Sequence, residues 1–191
     1  MKIGLFFGSF NPIHSGHMII AQYMVEETDL ERIWFVVSPQ NPLKNQKSLA
    51  HEQDRYDMVQ AAVYDNYNFQ VTDIEFHMPR PSYTIDTLTW LSEKYPEHEF
   101  VVIMGADNLN HIEKWKNHQV LLDNYELYVY PRPGSSIEKI EIKGKVKYIE
   151  APLISISATE IRRMVSRGKS VKYLVPDAVE ALIKSKKLYL Q

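Results

Sequence analysis

The sequence predicts an α/β fold, an open parallel sheet with helices on both faces, and three observations carry that expectation. Apolar runs of strand length alternate with helix-period segments almost from end to end, several runs are apolar on successive residues, and a glycine-containing turn joins the first strand to the first helix. The first strand is Lys2 to Gly8, where Ile3, Leu5, Phe6 and Phe7 give the near-continuous apolarity of a strand buried on both faces. A helix follows from Gly16 to Thr28, with Met18, Ile19, Ala21, Tyr23, Met24 and Val25 on its apolar positions. Arg32 to Ser38 is the second strand and Glu52 to Tyr64 the second helix, carrying Tyr56, Val59, Ala62 and Val63. Next come a strand at Phe69 to Phe76, a helix at Thr84 to Tyr95, a strand at Glu99 to Gly105, a shorter helical pattern through Val120 to Leu122, and a strand at Glu126 to Tyr130. Such a β-α order builds a parallel sheet by right-handed crossovers, and its ligands bind beyond the carboxyl ends of the strands.

The tail changes character at the turn-rich segment Pro131 to Ser136. A short strand candidate, Val146 to Ile149, precedes two helical patterns, Ala158 to Ser166 and Pro176 to Lys184. Ser157 is a good N-cap for the first, and Pro176 and Asp177 suit the first turn of the second. The expected organisation is one domain over residues 1–191. Residues 1–130 form a Rossmann-like sheet core, and residues 131–191 form a C-terminal helical part too small for a core of its own.

Composition narrows the chemistry. The chain has 191 residues, no cysteine, and 22 Lys+Arg against 24 Asp+Glu for a net charge of -2. Thiolate catalysis, disulfides and cysteine-ligated metals are excluded. The basic clusters Lys143 to Lys147 and Lys184 to Lys187 are short and read as a surface turn and a helix end, so no nucleic-acid partner is expected. The longest apolar stretches, such as Ile33 to Val37 and Val101 to Met104, fall far short of the roughly 20 residues that span a bilayer. The opening MKIGLFFGSFNP is not a signal peptide. A cytoplasmic protein with no membrane partner is the expectation, and a homo-oligomer is compatible with the sequence without being set by it.

The most informative segment is Gly8-Ser9-Phe10-Asn11-Pro12-Ile13-His14-Ser15-Gly16-His17, between the first strand and the first helix. A helix N-terminus here offers unpaired N–H groups and the positive end of a dipole to a phosphate. Gly8 lets a ligand approach the backbone closely. The segment is neither a G-x-G-x-x-G fingerprint nor a P-loop; in their place stand two histidines, His14 and His17, spaced to converge on one anion. Surface histidines, a zinc site and a base for a serine nucleophile are the competing explanations. The last two lack the further ligands or the G-x-S-x-G elbow they need. Ser82 or Thr84 can cap the helix that opens beside them and so direct its N–H groups at a small carboxylate. Asp107, after a glycine at the end of an apolar strand, is placed to accept from ribose hydroxyls.

GSFNPIHSGH resembles the G-x-F-x-P-x-H-x-G-H signature of the nucleotidyltransferases that transfer AMP or CMP to a phosphorylated acceptor. Ile156-Ser157-Ala158-Thr159-Glu160-Ile161-Arg162 is similar to their second signature, I-S-S-T-x-I-R. Further segments resemble one family in particular, nicotinate-nucleotide adenylyltransferase. They are Ser82 to Leu88 (SYTIDTL), Met104 to Leu109 with Trp115 downstream, Arg132-Pro133-Gly134, and the closing Lys187-Leu188-Tyr189. The resemblance implies that His14, His17 and Arg162 are catalytic and that Gly8, Ser9, Phe10, Gly105, Asp107, Ser157 and Thr159 meet ATP. It assigns Lys44, Ser82, Tyr83, Thr84, Trp115, Lys116 and Arg132 to nicotinate mononucleotide, with the tryptophan stacked on the pyridine ring. Magnesium is implied as a cofactor held by the ATP phosphates, without a protein ligand. Three departures stand out: Ala158 replaces the second serine, Leu43 stands where histidine often precedes the lysine, and Lys116 follows Trp115 where many relatives carry another residue type. Pantetheine-phosphate adenylyltransferase shares the two phosphate motifs but would not be expected to carry SYTIDTL or GADNL with its tryptophan. A nicotinamide-mononucleotide adenylyltransferase and a non-catalytic nucleotide-binding module compete with the same resemblance.

Overall fold

The computed structural model describes residues 1–39, 48–135 and 143–190. Strands β1 (Lys2–Gly8), β2 (Arg32–Val37), β3 (Phe69–Thr72), β4 (Glu99–Gly105), β5 (Glu126–Tyr130) and β6 (Val146–Tyr148) form one sheet in the order β3-β2-β1-β4-β5-β6. Every pairing is parallel, with Phe6 opposite Phe35 on one side and Ile103 on the other, and Gly8 opposite Val37. The expected Rossmann-like α/β fold is what the chain adopts.

Each central strand feeds two cores, because successive side chains point to opposite faces. Ile33, Phe35, Val37, Val101 and Ile103 pack on one face with α1 (Ser15–Glu27), α2 (Glu52–Val63), α6 (Ala158–Ser166) and α7 (Asp177–Ser185). Trp34, Val36, Phe100, Val102 and Met104 pack on the other with α3 (Thr84–Lys94), α4 (Ala106–Leu109) and α5 (His118–Asn124). Ile161, Val165, Val179 and Ile183 of the C-terminal helices belong to the same core as β1 and β2, which brings the second signature beside the first. Among the described residues, no helix is long and apolar enough to cross a membrane.

The sheet order reverses between β1 and β4. At that point the connections leave in opposite directions, so a crevice opens beyond the two carboxyl ends. The third strand is shorter than expected: it stops at Thr72, and Ile74–His77 forms a 3-10 turn. Ile74 packs into the second core while Glu75 turns inward to accept hydrogen bonds from Ser82 Oγ at 2.7 Å and Thr87 Oγ1 at 2.9 Å. Those bonds favour a turn over continued pairing on an edge strand. The helix around Val120 is also longer than its apolar pattern, running His118–Asn124.

Candidate active site

β1 ends at Gly8, and the chain enters α1 with His14 at its N-cap. Phe10 takes a left-handed φ of +44° and tucks its ring under Gly8, where an added Cβ would lie 2.9 Å from the ring. Glycine is therefore required by the protein's own packing as well as by any ligand. Phe10 is 3% exposed and meets the His17 ring edge-on, with centroids 5.2 Å apart. It is the floor of the cleft more than a wall.

The two histidines stack, with ring centroids 3.7 Å apart and planes 24° from parallel. The backbone N–H of His14 donates to His17 Nδ1 at 3.2 Å, so the neutral His17 ring carries its proton on Nε2. A Cβ on Gly16 would sit 3.0 Å from His14 Nδ1, so glycine leaves the ring its place. His14 is buried, and its Nδ1 has no hydrogen-bond partner among the described residues. Burial first, and then repulsion by the Arg132 guanidinium, push its imidazolium down to about 4. The ring is neutral at pH 7.

Facing this pair, Ser157 caps α6 by accepting from the Glu160 N–H at 3.2 Å, as its sequence position suggested. Arg162 donates to the Asn11 carbonyl at 2.8 Å and to Thr159 Oγ1 at 3.3 Å. The second signature is thereby tied to the first. At the end of β4, a Cβ on Gly105 would overlap Asp107 Oδ1 and approach Arg132 Cγ to 2.7 Å. Gly105 thus permits the Asp107–Arg132 pair, whose Nε and Oδ1 lie 3.7 Å apart.

These residues line a cleft of about 370 Å³ that includes the histidines, Arg162, Asp107, Arg132 and Ser157 to Thr159. A second cavity of about 370 Å³ is lined by Glu75, Ser82, Tyr83, Thr84, Trp115 and Lys116. Phe7, Gly8, Ser9 and Asn108 line both, so the two spaces meet above the end of β1. Arg132 lines the first cleft and not the second, packed beside Gly105 and paired with Asp107. Lys44 and Leu43 lie outside the described residues.

In the second cavity the N-cap of α3 is Tyr83, so neither Ser82 nor Thr84 serves as its cap. The Ser82 hydroxyl is engaged by buried Glu75, leaving the α3 backbone N–H groups as its donors toward the cavity. Burial pushes the Glu75 carboxyl up, while hydroxyls from Ser82, Ser38 and Thr87 oppose that shift. Trp115 is half-buried, packed against the second core at the end of a 3-10 turn Ile112–Lys114, and lines the second cavity. Lys116 Nζ bonds both oxygens of Asp86, at 3.1 and 2.8 Å, and sits 4.8 Å over the Tyr83 ring.

Several organising residues escaped the sequence reading. Asn11 donates to the Ser48 carbonyl at 2.8 Å and accepts from the Ala50 N–H at 3.1 Å and the Tyr189 hydroxyl at 2.8 Å. It joins the first signature to the chain's last residues, and its place inside a motif, as the residue before a proline, was the available signal. Glu75 was hidden inside an over-long strand, and Arg55 inside an amphipathic helix. No group of three or more His, Asp or Glu fit to hold a metal occurs among the described residues.

Paired helix N-termini, a neutral histidine pair and a guanidinium at a topological switch point place the chain in the class of nucleotide-handling α/β proteins. Residues 5–164 match the Cytidylyltransferase-like family. A probable nicotinate-nucleotide adenylyltransferase of Cytophaga hutchinsonii is 57% identical over 189 residues, covering 99% of this chain and 98% of the relative. That of Flavobacterium johnsoniae is 48% identical over 191 residues, covering 99% of each. The chain belongs to this nicotinate-nucleotide adenylyltransferase family. Its fold also matches that of the nicotinic acid mononucleotide adenylyltransferase of Plasmodium falciparum complexed with NaAD. The TM-score is 0.84 at 23% identity, over 98% of this chain and 97% of the other.

Proposed function

We propose that the protein moves AMP from ATP to nicotinate mononucleotide, giving nicotinate adenine dinucleotide and pyrophosphate in NAD biosynthesis, as a cytoplasmic enzyme. The observation that carries this is the meeting of two cavities over Gly8 and Ser9. One is bordered by cationic and helix-terminal groups, the other by a half-buried tryptophan and a helix N-terminus. ATP lies in the first and the mononucleotide in the second, so the acceptor phosphate faces the α-phosphorus across the shared edge.

An oxygen of the acceptor phosphate attacks the α-phosphorus of ATP. The bond to the bridging oxygen breaks, and its electron pair leaves with pyrophosphate. The nucleophile is already an anion, so no base and no covalent enzyme intermediate is needed. Catalysis consists of positioning and of stabilising the charge that builds on the transferring group. His17 donates its Nε2–H and Arg162 its guanidinium fork to the phosphate oxygens, with N–H groups from the first turns of α1 and α6. His14 offers its one ring N–H as a second donor, and a proton drawn onto it by the triphosphate adds positive charge to that bond. Each charge-assisted bond contributes about 1.5–3 kcal/mol, so one that strengthens in the transition state changes the rate roughly tenfold to hundredfold. Magnesium, when bound, supplies neutralising charge on the phosphates that hold it. On the acceptor side Trp115 stacks on the pyridine ring, and the N–H groups opening α3 receive the carboxylate. Lys116 contributes less charge than its position suggests, since Asp86 already offsets it.

The test is pyrophosphate release from magnesium and ATP with nicotinate mononucleotide, nicotinamide mononucleotide or phosphopantetheine as acceptor, with the product identified by mass. The acid is expected to be the best acceptor. Faster turnover of the amide or of phosphopantetheine, or no acceptor-dependent release, refutes the assignment.

A further inference from the structure

Among the described residues Arg55 is the largest side chain with essentially no exposure, and it lies in α2 outside both cavities. Its guanidinium donates to four backbone carbonyls: Ala50 at 2.9 Å, Ser9 at 2.6 Å, Ser38 at 2.7 Å and Pro39 at 2.8 Å. No carboxylate pairs with it among the described residues. Burying an unpaired cation is costly, and an apolar side chain of similar size would fill the same space at lower cost. The carbonyls it gathers are the informative part. Ser9 borders both cavities, and Ser38, at the end of β2, borders the second and is itself bonded through its N–H to the Gly8 carbonyl at 2.9 Å.

Turning the Ser9 carbonyl toward Arg55 directs the next N–H, that of Phe10, the opposite way, because the peptide is planar. Carbonyl oxygens that would repel phosphate are thus drawn away from the loop that receives it. Ser38 lines the second cavity together with Glu75, which accepts from Ser82 and Thr87 at the start of α3. Arg55 therefore ties the phosphate loop to the end of β2, which lies on the same cavity as Glu75 and the helix that opens on the acceptor side.

We propose that Arg55 is a positioning residue for the transfer reaction, fixing the phosphate loop and the acceptor helix at the separation that aligns the two substrates. It touches neither substrate, and the inference rests on the adenylyl-transfer assignment above. Misplacement of reacting groups by about 1 Å costs on the order of a hundredfold, so a small slackening suffices. The test is Arg55→Lys, which keeps the charge but cannot span four carbonyls with a planar fork. The readouts are kcat, both KM values, and the binding of ATP, nicotinate mononucleotide and nicotinate adenine dinucleotide one at a time. All are taken well below the variant's unfolding temperature.

The expected result is a kcat lowered roughly tenfold or more, with each single substrate bound within about threefold of wild type. Affinity for the dinucleotide, which occupies both cavities, falls roughly tenfold. A purely structural role would lower the unfolding temperature and leave these ratios alone. Wild-type kcat in the folded variant overturns the proposal, as does equal weakening of all three ligands. Glu75→Gln, which loosens the start of α3 on the acceptor side, is the second variant and is expected to show the same loss of kcat and of dinucleotide affinity. Should Arg55→Lys fail to fold, wild-type behaviour of Glu75→Gln overturns the proposal. Absence of turnover by the unaltered protein would instead refute the assigned reaction.

Discussion

His14→Gln should flatten the acid limb of the protein's stability curve. In the folded chain burial and Arg132 hold the His14 imidazolium down at about 4, against an ordinary value of 6.5. As pH falls through 6.5 the unfolded chain takes up a proton at this residue, while the folded chain does not until about 4. The unfolded state therefore binds more protons across that window, and stability present above pH 6.5 is lost progressively toward pH 4. The displacement of about 2.5 pH units corresponds to about 3 kcal/mol, a sizeable part of the net stability of a small protein. Urea unfolding of wild type and variant at several pH values between 7.5 and 4.5 measures the difference directly. Groups common to both proteins cancel in it, including the carboxylates. Parallel curves would refute the assignment of a neutral, buried His14. The same electrostatics make a second demand: a polyphosphate beside the ring favours the imidazolium, so ATP binding near pH 6 should take up protons in wild type and take up fewer in His14→Gln. Calorimetry in buffers of different ionisation enthalpy reads that uptake.

Trp115→Ala should raise KM for the mononucleotide roughly tenfold or more while leaving that for ATP within about twofold, since ring stacking contributes about 1–3 kcal/mol; equal weakening of both substrates would show a packing role instead. Gly105→Ala pushes Asp107 and Arg132 out of register in the first cleft, so the KM for ATP should rise with little change in unfolding temperature. The reverse pattern would contradict the packing argument. Tyr189→Phe deletes the hydroxyl that bonds Asn11 and should cost about 1 kcal/mol in urea unfolding; an unchanged midpoint would mean that the tail does not brace the signature loop.

The fold was legible because a parallel strand buried on both faces leaves an unbroken apolar run, as Ile33 to Val37 does. The phosphate loop was legible for a related reason: glycines at 8 and 16 sit where a Cβ would strike Phe10 or His14, so geometry restricts the residue type and leaves a pattern. Nothing local to Arg132 indicates which of the two adjoining cavities its side chain enters. That is decided by the space over Gly105 and by Asp107, which lies 25 positions earlier in the chain. Asn11, Arg55 and Glu75 were missed because their partners are backbone groups and hydroxyls distant in sequence. A buried arginine in α2 carries the same letter as a solvated one, and periodicity cannot separate them.

The cations around the two cavities share a feature that bears on selectivity. Arg162 rests on the Asn11 carbonyl, Arg132 faces Asp107 at 3.7 Å, and Lys116 is bound to Asp86. The two ion pairs are not costly to exchange, since they are substantially exposed and contribute at most about 1 kcal/mol each. A lone small anion gains little by displacing one of them. On the proposed reading a triphosphate would engage Arg162, the histidines and two helix N-termini together, and so recover several such exchanges for a single loss of translational freedom. With a chain of net charge -2, selection for polyphosphate then follows from the number of groups engaged at once and not from a standing excess of positive charge.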